Sequence, residues 1–155
     1  MNIFWIDDRL CGSSYLHDED CAQMLQQGIN GVVSLRRTAL PTNSCICSSF
    51  KYCHIPVNPN RRLKVFLIIK ILKYLQFIRQ VDGRVLTFCF QGCNRPCAFM
   101  ACYLVSEYGI NSREAINRLL STRKCAFTSC PFSSVVKSFE RFLKAPMFLK
   151  IFFIF

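Results

Sequence analysis

Short apolar runs alternate with stretches of helical periodicity along this chain, and glycine, proline or clusters of small polar residues separate them. Residues 3–6 and 10–13 read as short strands. Residues 18–28 read as a helix, with Asp18, Glu19 and Asp20 at its positive end and Gly28 closing it. Residues 31–35 form a brief apolar β run, and 38–49, rich in Ser, Thr, Asn and Cys, read as loop. Residues 50–55 read as a strand that Pro56 and Pro59 end.

The next segment, 63–79, is a long apolar helix. Lys64, Lys70, Lys73 and Arg79 interrupt it, and it falls short of the ~20 clean residues of a membrane span. It reads as a buried core helix. Asp82 belongs to a turn before Gly83, and residues 85–88 form a hydrophobic strand. A helix over 95–108 stops at Gly109; a capping-box-like start over 111–114 opens another that runs to Ser121 or Thr122. Pro131 begins a last helix, which Ala145 and Pro146 close. This alternation predicts an α/β fold: a mostly parallel central sheet flanked by helices on both sides. Residues 1–146 are expected to form one domain, followed by an apolar tail over 147–155. The tail is too short to cross a bilayer, carries Lys150, and reads as a weakly constrained end.

Composition narrows the function classes. A chain of 155 residues, 52% apolar and with fifteen phenylalanines, can bury a real core, so disorder is excluded. The formal net charge of +11 favours anionic partners. No Arg-rich run or basic–aromatic platform appears, so nucleic acid is not expected among them, and a monomer is expected. The eleven cysteines are an odd number, and residues 1–6 run into Asp7 and Asp8 without the apolar core of a signal peptide. Reduced thiols in the cytoplasm or nucleus are expected rather than a disulfide framework. Cys45, Cys47, Cys53 and His54 supply zinc-ligand types in a small window, but paired C-x₂-C spacings are absent and His54 belongs to a strand. No metal or other cofactor is expected.

The chemistry concentrates in the seven residues Cys89, Phe90, Gln91, Gly92, Cys93, Asn94 and Arg95. A hydrophobic run precedes them and a strongly helical run follows, giving strand, tight loop, helix. A loop opening a helix turns several backbone N–H groups into one concavity that binds a tetrahedral oxyanion. Cys89, at its start, sits in that positive field and can act as a nucleophile. Arg95, at its end, can grip two phosphate oxygens in a fork. The candidate catalytic residues are Cys89 and Arg95, and residues 90–95 form the candidate phosphate-binding loop. Cys93, inside the loop, is a candidate partner for an oxidised Cys89.

Beyond the loop, residues 4–142 resemble the small atypical dual-specificity phosphatases of the cysteine-dependent protein tyrosine phosphatase superfamily. Phe4 and Trp5, the run from Arg9 to Ser13, the run from Gly28 to Leu35, His54-Ile55-Pro56, the loop, and the run from Ala101 to Val105 carry the resemblance, in the family's order. It implies hydrolysis of phosphotyrosine and phosphoserine or phosphothreonine in proteins through a phosphocysteine on Cys89.

Four departures accompany the match. Family members carry a histidine before the nucleophile, where this chain has Phe88, and Ser or Thr after the arginine, where it has Pro96. They carry an aspartate general acid after Ile-Pro, where it has Val57. Over 123–134, where they often have a glutamine that positions water, it has none. General acid–base assistance is worth ~10²–10⁴-fold in rate, so impaired turnover is expected. The alternative from another class is a pseudophosphatase that binds phosphorylated proteins without hydrolysing them.

Overall fold

The computed structural model describes residues 1–58, 64–127, 132–146 and 150. Five strands form one sheet in the order β1-β2-β5-β3-β4: β1 (Ile3–Trp5), β2 (Leu10–Ser13), β3 (Ile29–Ser34), β4 (Lys51–His54) and β5 (Arg84–Phe88). β1 pairs antiparallel to β2 at one edge, and every other pairing is parallel. The expected α/β class with a mostly parallel sheet is therefore present. Six α-helices lie among the described residues: α1 (Cys21–Gln26), α2 (Cys45–Ser49), α3 (Lys64–Gln80), α4 (Arg95–Tyr108), α5 (Ser112–Thr122) and α6 (Phe132–Lys144).

The pleat sends successive side chains to opposite faces. Leu10, Val33 and Val85 join a large core with the apolar faces of α3, α4, α5 and α6. Their neighbours Cys11, Val32 and Leu86, with Phe88, join a second core with Leu16, Met24, Ile46 and Phe50. A sheet covered on both faces explains why its central strands read as continuous apolar runs. Helix α4 is buried continuously from Pro96 to Val105, which matches a sequence apolar on every side. Its last turn ends at Gly109, whose φ of +66° a side chain would resist.

One expectation needs adjusting. The expected loop over 38–49 contains the short helix α2, because the Ser44 hydroxyl caps it by accepting from the Cys47 amide. Pro131 and Leu63, read as helix starts, lie outside the described residues, as does the tail apart from Lys150. That lysine's Nζ donates to the Leu143 carbonyl at 3.0 Å. No described helix is long and apolar enough to cross a membrane.

Candidate active site

The loop over 89–95 leaves β5, the middle strand, and feeds α4. β2 and β3 lie on either side of β5 and end beside it. Open parallel sheets bind ligands at such a crevice beyond the strand ends.

The expected loop residues are brought together. The Gly92 amide donates to Cys89 Sγ at 3.3 Å. That bond holds the sulfur against the loop's own backbone. Cys89 is only 2% exposed. Gly92 has φ of +72°, and a Cβ there would lie 2.7 Å from both the Ser13 carbonyl oxygen and the Ser14 amide nitrogen. The loop thus seats directly on the end of β2, with the Tyr15 amide donating to the Phe90 carbonyl at 3.1 Å. Glycine is required here for both backbone conformation and space.

Arg95 opens α4. Its Nη1 donates to the carbonyls of Leu35 at 3.1 Å and Val57 at 3.3 Å, anchoring the guanidinium to the chain just past β3 and β4. Its Nε and Nη2 make no hydrogen bond among the described residues, so those donors remain for an oxyanion. At the mouth, Phe90 is 66% exposed and meets Tyr15 edge-on at 6.2 Å, while the Arg36 guanidinium lies 4.7 Å from the Tyr15 ring centre. This makes an aromatic and cationic rim.

The departures have visible structural outcomes. Phe88 is fully buried in the core between the sheet, α1 and α2, and only its carbonyl serves the site, accepting from the Leu35 amide at 2.9 Å. Val57 is also fully buried, in the core beneath α3 and α4, and it offers Arg95 a carbonyl but no acid. Pro96, second in α4, brings neither a hydroxyl nor an N–H to the loop's exit. Beside it, burial pushes the Cys97 thiol up to about 12; Arg123 opposes this and Cys89 adds to it. Its Sγ donates weakly to the Gly92 carbonyl at 3.7 Å.

No hydrogen bond or ion pair among the described residues joins a carboxylate to the loop. Asp7 sits at the other end of β2, where it accepts from the amides of Arg9 and Leu10 and from the Tyr108 hydroxyl. Asp82 is an exposed turn residue before β5. Glu107, Glu114 and Glu140 pair with Arg79, Arg118 and Lys144. His54 bonds the Arg36 carbonyl, and no group of metal-ligating side chains gathers among the described residues.

Cys93 corrects an expectation. It is bonded to Cys125, with Cα atoms 5.3 Å apart and a sequence separation of 32, and so is not available to capture Cys89. The chain after α5 folds back over the loop, and the Phe127 amide donates to the Cys93 carbonyl at 3.2 Å. The expectation of wholly reduced thiols fails at this pair, while eight described cysteines are free. Sequence reasoning also missed Tyr15, Leu35 and Cys125. Their roles arise from backbone atoms or tertiary proximity, and no local motif marks them.

Residues 12–142 match the family described as dual specificity phosphatase, catalytic domain. No curated protein sequence matches the chain. Among solved structures, Tk-PTP in its active form is similar at 19% identity and TM-score 0.76, covering 90% of this chain and 96% of that one. Human DUSP28 is similar at 20% identity and TM-score 0.71, covering 92% and 95%. A mouse dual specificity phosphatase complexed with zinc tungstate is similar at 18% identity and TM-score 0.72, covering 92% and 88%.

Proposed function

This chain belongs to the dual specificity phosphatase family of cysteine-dependent enzymes, and on that premise we propose that it hydrolyses phosphotyrosine and phosphoserine or phosphothreonine in proteins, slowly, through Cys89. The observation that carries this reading is the Gly92 amide directed at Cys89 Sγ, with Arg95 fixed alongside and its remaining donors free. In the first step the Cys89 sulfur attacks phosphorus. A P–S bond forms, the ester P–O bond breaks, and the departing oxygen takes its proton from water. Loop amides over 90–95 and Arg95 hold the equatorial oxygens as charge shifts toward the leaving group. Water then attacks phosphorus, releasing phosphate and the free thiol.

Without an acid at Val57, the leaving group's own basicity governs the first step. Aryl esters leave more readily than alkyl esters, so phosphotyrosine is the better substrate. The exposed Phe90 and its neighbours Tyr15 and Arg36 supply a rim suited to an aryl group. The free cysteines suit a cytoplasmic or nuclear setting. A second reading, a binding module for phosphorylated proteins, is favoured by the full burial of Val57.

Trapping separates the two. Incubation with p-nitrophenyl phosphate and rapid acid quench is expected to leave one phosphoryl group on the Cys89 peptide, with slow nitrophenol release. Cys89→Ser abolishes both. Absence of any phosphoryl adduct, with inorganic tungstate still bound, establishes the binding module instead.

A further inference from the structure

We propose that Cys93 and Cys125 are positioning residues: their disulfide holds the phosphate loop in its oxyanion-binding shape, and its reduction lowers the loop's affinity for phosphate. The inference rests on the phosphate-binding reading above and goes beyond it in assigning a redox dependence to the site.

The loop is held at other points as well. Gly92 seats on Ser13 and Ser14 and reaches Cys89, Tyr15 holds the Phe90 carbonyl, and Arg95 is anchored to Leu35 and Val57. These act at the ends of the loop or on its β2 side, and the Cys97 thiol of α4 adds a weak bond to the Gly92 carbonyl. On the opposite side, where the loop turns toward α4, Cys93 is held by the disulfide to Cys125 and by the Phe127 amide. Phe88 and Pro96 bring no side-chain donor to either end, and this attachment is the covalent one.

The anchor itself is well fixed. The Arg123 amide donates to the Leu119 carbonyl at 2.8 Å and the Ala126 amide to the Arg123 carbonyl at 2.9 Å. Ala126 is buried in the main core, and the Arg123 guanidinium lies 5.1 Å from the centre of the Phe4 ring. A covalent link from this turn to Cys93 therefore ties the loop to the body of the domain. Both bonded cysteines are half-buried, so a dithiol in solution can reach them.

The chemical step is thiol–disulfide exchange. A thiolate of a thioredoxin-class dithiol attacks one sulfur, the Cys93–Cys125 bond breaks, and a mixed disulfide forms. The second thiol of the reductant resolves it. Two electrons and two protons pass to Cys93 and Cys125, and the reductant leaves as its own disulfide. A disulfide oxidant of the same class reverses the step. Preorganisation of a binding loop governs its affinity without any new contact to the ligand.

The test uses the full chain purified without reductant. Non-reducing peptide mass spectrometry is expected to recover the Cys93–Cys125 linked pair. Affinity for inorganic tungstate is expected to fall about tenfold on phosphine reduction. Cys125→Ser is expected to show that weakened affinity from the start, with no further response to reductant. Absence of the linked pair, or equal tungstate affinity in the oxidised and reduced protein, overturns the proposal. Should tungstate bind neither form, the phosphate-binding reading fails. The brace is then judged by hydrogen exchange of the amides over 90–95: faster exchange on reduction supports it, and unchanged exchange overturns it.

Discussion

The Gly92 amide and the Cys89 sulfur face each other across 3.3 Å, and that bond exists because Gly92 alone fits against the Ser13–Ser14 backbone. Gly92→Ala is therefore expected to be costly twice. The φ of +72° is unfavourable for a side chain by about 1–2 kcal/mol, and the new methyl must displace strand backbone rather than a flexible tip. Urea unfolding is expected to show a loss of at least about 2 kcal/mol. Tungstate binding should disappear from whatever fraction stays folded.

Arg95→Lys is expected to fold and to fail at oxyanion binding. An ammonium has no planar fork, so it cannot serve the Leu35 and Val57 carbonyls and two ligand oxygens together. A loss of roughly 100-fold in tungstate affinity is expected, equivalent to about 2.7 kcal/mol. Titration calorimetry measures it directly. Retention of near-native affinity would show that the guanidinium is not a phosphate ligand.

Restoring the family's acid at its usual position is not expected to restore activity. Val57 is fully buried, so Val57→Asp places a carboxyl among apolar side chains. The cost is roughly 2–5 kcal/mol, read as a fall in Tm. Hydrolysis of p-nitrophenyl phosphate should not rise. A rise with unchanged stability would mean that the side chain turns out of the core toward Cys89.

Acid should weaken the contact between α5 and α6. The Lys144 ammonium, then the Ser112 hydroxyl and amide, hold the Glu140 carboxyl down at about 2. The folded chain therefore binds fewer protons than the unfolded one between these values. Glu140's contribution is fully present above the unfolded value of ~4.3 and is lost as pH falls toward about 2. Glu140→Gln is expected to flatten this part of the stability–pH curve, as followed by urea unfolding from pH 5 to 2.

The sequence disclosed the fold well where local chemistry decides structure. Residues 85–88 announced a buried strand because both sheet faces are covered, Asn111 announced a helix start, and Gly109 a helix stop. Cys89, Gly92 and Arg95 were legible as a candidate site because one loop holds all three. Contacts between distant segments were not. Nothing near Cys93 points to Cys125, since pairing among eleven cysteines depends on where α5 delivers the chain. Arg95's partners were equally hidden, because Leu35 and Val57 contribute carbonyls that every residue possesses. Val57 stands where the resemblance implies an acid, but only its burial shows why a simple replacement is expected to fail.

The perch of Gly92 on Ser13 and Ser14 also makes the N-terminal hairpin a support of the candidate site. β1 forms one edge of the sheet, and the end of its buried neighbour β2 is the ground on which the loop rests. Peeling that hairpin away, by proteolysis or by a bulky fusion at Met1, would remove ground under the loop while leaving every residue from Cys89 to Arg95 intact.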